Sequence, residues 1–319
     1  MKFNELNGGL PSGTKKLTRK FKELSKKTQE PVMKTVFFIS ACVTILCVVL
    51  ICVFVFEGGL PPVIKYGIND FLFGRYENPI KPGEFRSWWP SAGYYSILPF
   101  IITSIYVTFG AIVVGVPLGL LSAVFMARMC PKWLHKILSP LISLLAGIPS
   151  VIYGFVGAMV LVPMVKDTFD LKSGSTIFTA SVMLGVMILP TIINISESSL
   201  RAVPENYFEG ALALGASKER SIFFVVLPAA KSGILAAIVL GIGRAIGETM
   251  AVMMVVGGKP QIPTSFFDGA QTMTAHIATE LGYADDIKRG FLLGTAVVLF
   301  IFILIINTML QIIKRGEKA

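Results

Sequence analysis

Charge is scarce in this chain. Only 15% of its 319 residues are Asp, Glu, Lys or Arg, against about 25% in soluble domains. A soluble core of this size needs a polar skin that the composition cannot supply. A soluble enzyme or a nucleic-acid-binding protein is therefore disfavoured, despite a net charge of +10. Cysteine numbers four. Cys42, Cys47 and Cys52 recur at five-residue steps, which scatter them around a helix, and Cys130 stands alone. Neither a disulfide framework nor a zinc site follows. His135 and His276 sit in separate polar loops, and no H-E-x-x-H or G-x-S-x-G string occurs. Two nucleotide-site lookalikes fail. Gly8 and Gly13 have phosphate-loop spacing, but Thr14-Lys15 reverses the required order and no strand precedes them. Gly241-Ile242-Gly243-Arg244-Ala245-Ile246-Gly247 is one residue too long for a dinucleotide fingerprint and lies in an apolar run. Gly243 and Gly247 read instead as a G-x-x-x-G pair allowing close helix contact. The chain carries no visible apparatus for hydrolysing ATP.

What is abundant is hydrophobicity: 54% of residues, with mean hydropathy +0.72. Disorder is excluded for most of the chain. The apolar residues fall into six blocks, 33–56, 97–127, 139–165, 176–195, 232–256 and 291–313. Each approaches the ~20 helical residues that cross a bilayer. In hydrocarbon the backbone must bond within its own segment, so these are helices, and the short alternating segments of a β-barrel are lacking. Nineteen basic residues precede or open the first block, follow the second and fourth, or end the chain. The other three loops hold nine, offset by ten acids. Positive charge marks the cytoplasmic side, so both termini are expected there. The first block is too long for a cleaved leader, and Glu57-Gly58-Gly59 is a poor cleavage site.

Residues 1–32 read as a flexible basic tail resting on an anionic membrane surface. Residues 33–319 form the membrane domain, with outer loops 57–96 and 257–290 and a cytoplasmic loop 200–230. Trp88 and Trp89 suit an interfacial anchor.

Two features point to chemistry. Arg244 and Glu248 lie in the fifth block, where charges are costly and usually face a bundle interior or a water path. Their i, i+4 spacing predicts one helix face and ion-pair reach. The pair admits two readings: a self-neutralising packing lock, or a polar path in which the Arg fork meets an oxyanion. The second feature is Glu209-Gly210-Ala211, three residues, Gly215, nine residues, then Val225-Val226-Leu227-Pro228. A short helix broken at Gly215 and followed by a second helix would make a knob beneath the membrane.

That spacing resembles the coupling motif of bacterial ABC importer permeases: E-A-A, three residues, G, nine residues, I-x-L-P. Gly210 replaces an Ala and Val225 the Ile. Leu145 to Gly154, containing Pro149, Ser150 and Tyr153, and Gly241 to Val252, containing Arg244, Glu248 and Thr249, are similar to stretches of phosphate importer permeases of the PstC type. The similarity covers roughly residues 35–315. It implies an all-α, six-helix type I importer permease fold in the bacterial inner membrane. It implies a PstA-type second permease, two PstB-type ATPase subunits carrying ATP and Mg, and an extracytoplasmic PstS-type phosphate-binding protein. This chain would bind no cofactor and would be no enzyme. Arg244 and Glu248 would lie on the substrate path, with Pro149, Ser150, Tyr153 and Thr249 as possible lining. Glu209, Gly210, Ala211, Gly215, Leu227 and Pro228 would engage the ATPase. Sulfate, molybdate or tungstate permeases are near alternatives; a membrane sensor or scaffold is a more distant one, and a membrane-embedded enzyme finds no support.

Overall fold

The computed structural model describes residues 12–316 apart from 74–76, 79–80, 86–87 and 90–93. Helix α1 runs Ser12–Tyr66, and α2 covers Ile68–Phe73. Four short strands follow, β1 Glu77–Asn78, β2 Lys81–Phe85, β3 Trp88–Trp89 and β4 Tyr94–Tyr95. They pair antiparallel as β1–β2 and β3–β4. Apart from these two small hairpins, the regular structure among the described residues is helical. The side chains of Trp88 and Trp89, expected to anchor at an interface, lie outside the described residues, as does Gly8.

The tail departs from its sequence reading. From Ser12 the backbone is helical and runs unbroken into the first span. Residues 15–30 are rich in Lys, Glu and Leu, which are good helix formers, and no proline occurs between Pro11 and Pro31. The chain divides between Val55 and Phe56 into two compact units. In the first unit Phe37, Phe38, Ile45, Leu46, Ile51 and Phe54 are all exposed, an apolar surface suited to hydrocarbon.

The second unit holds the core. Helix α3, Leu98–Val124, continues through a π turn, Phe125–Met129. Helix α4, Lys132–Gly147, buries no residue. Helix α5, Ser150–Val156, leads through a second π turn, Gly157–Leu161, into α6, Val162–Thr168. Helix α7, Ile177–Arg201, is the central element, with 67% of its most apolar stretch buried. Helices α8, Glu205–Ala213, and α9, Lys218–Ser221, precede a third π turn, Ile222–Val226, and α10, Leu227–Ala229. Helix α11, Lys231–Gly247, is followed by α12, Met250–Val255, and α13, Met273–Glu280. Helix α14, Asp286–Gly316, ends the described chain.

Among the described residues, five helices or helix runs are long and apolar enough to span a membrane; residues 218–229 and 231–247 pass the same test only if taken together, and they are bent by 71°. The six apolar blocks are all helical, but two of them are broken. The third splits at Ile148-Pro149 and the fifth at Glu248-Thr249.

The most extensive crossing is α3 on α7. A Cβ at Gly115 would lie 2.7 Å from Ile188, and one at Gly119 2.8 Å from Ile192. These two glycines, four apart, supply the close approach that the sequence reading assigned to Gly243 and Gly247. Among the described residues, no other part of the chain packs within 4 Å of a Cβ at either of the latter. At the end of the bundle near α2 and α13, Phe71, Ile97, Phe100, Met273 and Phe291 form a buried cluster.

His276 belongs to α13 rather than a loop and is fully buried. Its ring stacks on Phe100 at 3.9 Å, and its Nδ1 lies 3.3 Å from Gln271 Oε1. Burial pushes its pKa from 6.5 down to about 3. The unfolded chain therefore takes up this proton near pH 6.5 and the folded chain only near 3. Stability is full above the unfolded value and is lost as pH falls towards the folded one. Between pH 6.5 and about pH 5 the loss is ~2 kcal/mol. Melting in detergent at neutral and mildly acidic pH should show this destabilisation, and His276→Gln should flatten it.

Candidate functional site

The site is built where two broken helices meet. Helix α11 stops at Gly247, and Glu248 takes an extended backbone with φ −72° and ψ 127°. The companion break lies between α4 and α5, where Ile148 has ψ 127° and Pro149 ψ 139°. Pro149 accounts for this break, since a proline cannot donate to the ladder and disfavours helix in the residue before it. Helix α5 packs on α12: a Cβ at Gly154 would lie 2.9 Å from the Ala251 Cα.

Each break exposes backbone groups, and side chains satisfy several of them. Tyr153 Oη donates to the Leu145 carbonyl at 2.8 Å, reaching back across the α4–α5 break. Glu248 Oε1 accepts from Ala251 N–H at 3.1 Å, capping α12. Thr274 of α13 donates to the Glu248 carbonyl at 3.0 Å. Thr249 Oγ1 donates to the Gly247 carbonyl at 3.3 Å. Ser150 is the first residue of α5, and Pro149 is exposed beside it.

The expected Arg244–Glu248 ion pair is not formed. Ion pairs among the described residues are Arg128–Glu205, His135–Glu197 and Arg201–Glu197. The i, i+4 argument assumed one continuous helix, and the helix ends between the two residues. Arg244 turns instead to α7, where its Nη1 donates to Thr191 Oγ1 at 3.3 Å. Among the described residues this is its one side-chain hydrogen bond. Its charge also acts on the Tyr153 hydroxyl. Arg244 and Glu248 are both half-buried, with the unfilled flanks of Gly243 and Gly247 nearby. The result is a half-buried guanidinium with donors to spare, four residues before a carboxylate with one oxygen engaged in capping. Thr191 and Thr274 were missed in the sequence; Thr191 was discernible as a polar residue inside an apolar run.

The second group of expected residues forms a separate knob. Helix α8 carries Glu209, Gly210 and Ala211, and starts four residues earlier than expected, after Pro204. Gly215 stops it with φ +85°, where a Cβ is strained. Gly215 N–H bonds Leu212 O at 2.9 Å and Ala216 N–H bonds Ala211 O at 3.1 Å, a Schellman ending. Ser217 then caps α9 through Arg220 N–H. The second arm runs through the π turn to α10, holding Leu227 and Pro228. Leu214 and Phe224 are 91% and 75% exposed, apolar side chains offered outward beside the turn. No group of three or more His, Cys, Asp or Glu among the described residues is placed to hold a metal.

Residues 115–318 match the family described as binding-protein-dependent transport system inner membrane component. A probable ABC transporter permease of Bacillus subtilis, YqgH, is 37% identical over 280 residues, 84% of this chain and 87% of that one. The phosphate transport system permease PstC of Haemophilus influenzae is 28% identical over 319 residues, covering 94% and 96%. The PstC 2 protein of Mycobacterium bovis is 33% identical over 238 residues, covering 68% and 73%. Among solved structures, an inward-facing MetNI methionine ABC transporter chain superposes with a TM-score of 0.51 at 20% identity, covering 69% of this chain and 93% of that one. That likeness is one of fold.

The glycine geometry makes a paired expectation. Gly115→Leu should overpack the α3–α7 crossing and destabilise the purified protein by ~1–3 kcal/mol. Gly243→Leu, with open space beside it, should stay within ~0.5 kcal/mol. Thermal melting of both variants in detergent checks the contrast.

Proposed function

The chain belongs to the binding-protein-dependent transport system inner membrane component family, as a permease subunit of an ABC importer, and from that premise we propose that it imports inorganic phosphate. In this reading a PstA-type permease completes the path, a PstB-type ATPase dimer supplies ATP and Mg, and a PstS-type protein delivers phosphate from outside. Both termini and the knob of residues 205–229 lie in the cytoplasm, as the distribution of basic residues supports. The chain itself is not an enzyme; work is done on the ATPase.

The observation that carries the reading is Arg244 without an acidic partner, beside a helix break and an unfilled glycine face. Irregular backbone at membrane depth is tolerated where it is buried in protein or lines a water-filled cavity. A guanidinium with uncommitted N–H donors suits an oxyanion. Glu248 favours phosphate over sulfate on chemical grounds. Hydrogen phosphate has a hydroxyl that donates to a carboxylate, whereas sulfate at neutral pH has only acceptors. The PstC names of two relatives support the same substrate.

At the knob, Leu214 and Phe224 offer apolar surface to a partner, and the turn at Gly215 sets the angle between its arms.

Phosphate uptake is measured with the permease pair, ATPase and binding protein in proteoliposomes. Arg244→Gln should still assemble, yet uptake should fall by about ten- to a hundredfold, the worth of a hydrogen bond to a charged group. Undiminished uptake would remove Arg244 from the path. Stimulation by a sulfate-loaded but not a phosphate-loaded binding protein would overturn the substrate. Gly215→Val should abolish co-purification with the ATPase, because a β-branched residue opposes the left-handed turn; retained ATPase would refute the docking role of the knob.

A further inference from the structure

The coupling knob meets the membrane helices at a cluster of charges that the transport path does not use. Helix α3 ends in its π turn, where Cys130 N–H closes the wide ring on Phe125 O at 2.8 Å. Helix α7 ends at Arg201 alongside it. Helix ends leave carbonyls without intrahelical partners. Here each helix sends an arginine to the other's end. Arg128 Nη2, from α3, donates to Leu200 O at 3.0 Å and Val203 O at 3.3 Å. Arg201 Nη2, from α7, donates to Met126 O at 3.0 Å. Cations at carbonyl ends also oppose the negative pole of the helix dipole. Glu197, itself buried, holds the cluster from below, accepting from Arg201 Nε at 2.8 Å and lying 2.7 Å from His135 Nε2 of α4.

Arg128 reaches a third helix as well. Its Nη1 bonds Glu205 Oε2 at 2.7 Å, and its guanidinium carbon lies 6.0 Å from the centre of the Phe208 ring. Both residues belong to α8, the first arm of the knob. This arm has no buried residue of its own. A cavity of about 360 Å³, lined by Val203, Pro204, Tyr207, Ala230 and Gly233 among others, separates its start from the start of α11. Helix α8 packs on the bundle through the partly buried Phe208, set against the cluster of Val203, Ile222 and Val226, and the Arg128 fork supplies the polar link to it.

We propose that Arg128 is the positioning residue that carries movement of the coupling knob into α3 and α7. The inference rests on the importer reading above and names the joint it would use. The fork suits the task because its geometry is rigid: one nitrogen holds the end of α7 while the other holds the start of α8. Glu205 is 57% exposed whereas Arg128 is 10% exposed. An ion pair with one exposed partner adds little stability, so its effect should appear in coupling rather than in folding. Lysine keeps the charge but lacks the fork, and cannot serve both helix ends at once.

The test uses the complete transporter in proteoliposomes and measures ATP hydrolysed per phosphate imported. Glu205→Gln unhooks α8 while leaving the α3–α7 clasp intact. Arg128→Lys breaks the bridge from the other side. Each should raise the ratio about fivefold, the lower end of coupling between linked sites, with the complex still assembled; Glu205→Gln, which leaves the bonds to Leu200 and Val203 intact, should also keep the wild-type melting temperature. The double variant should be no worse than the worse single one, since both cut one link. An unchanged ratio in Glu205→Gln overturns the joint, as does additive loss in the double variant. The wild type separates the two levels of argument. If wild type fails to respond to phosphate-loaded binding protein, the importer reading falls and the joint with it. If it responds and Glu205→Gln matches it, the joint alone falls.

Discussion

An unpaired backbone N–H or C=O in hydrocarbon costs several kcal/mol, and this chain interrupts its helices in the middle of its apolar runs. The architecture follows from how those interruptions are tolerated. At the α4–α5 break Tyr153 turns back to Leu145 O. At the α11–α12 break Glu248 caps Ala251, and Thr274 covers the Glu248 carbonyl. At the ends of α3 and α7 the two arginines exchange carbonyls. Prolines inside α3, α4 and α7, at Pro117, Pro140 and Pro190, add further gaps in the ladder. The polar side chains in this fold therefore serve backbone first. Arg244 serves no backbone group among the described residues: its partner is the Thr191 side chain, and most of its donors remain available.

The same constraint explains what could be read from sequence. Hydropathy reports the length of an apolar run, so the positions of the spans were legible. It does not report whether the helix inside the run is continuous. Pro149 was visible as a breaker but lay in a block whose length suggested one helix. Glu248 carried no such signal, and the Arg244–Glu248 pairing inferred from four-residue spacing failed with the continuity it assumed. The G-x-x-x-G reading failed for a related reason. Spacing identifies glycines that share a face, and only packing identifies what the face meets. Gly115 and Gly119 meet α7, whereas Gly243 and Gly247 meet open space.

The knob was legible because its signals are local. Gly215 stops a helix through its own backbone geometry, with φ +85°, and Ser217 starts the next through its own side chain. Arg128 escaped because a sequence-level count of positive charge treats every basic residue as a vote on orientation. Its role depends on helix ends brought together from residues 72 to 77 positions away, a juxtaposition that exists only after folding. The amino-terminal segment erred in the other direction. Its charge and Gly/Ser content suggested a flexible tail, while the run of helix formers after Ser12 continues the span.

The two candidate regions are joined by one element. Helix α7 bears Thr191, the anchor of Arg244, and nine residues later Leu200, the carbonyl gripped by Arg128. At 1.5 Å per residue the two points are ~14 Å apart along a single helix. No break or π turn interrupts α7 between them, since Pro190 precedes Thr191. The three π turns among the described residues lie elsewhere: one, Phe125–Met129, carries Arg128 against the knob, and another, Ile222–Val226, lies in the knob's second arm. Irregularity is thus concentrated around the knob and at the helix breaks beside Arg244, with a regular rod between. A displacement at the clasp that moves α7 as a body must also move Thr191. The hydroxyl that orients Arg244 would then shift with the helix end that Arg128 holds.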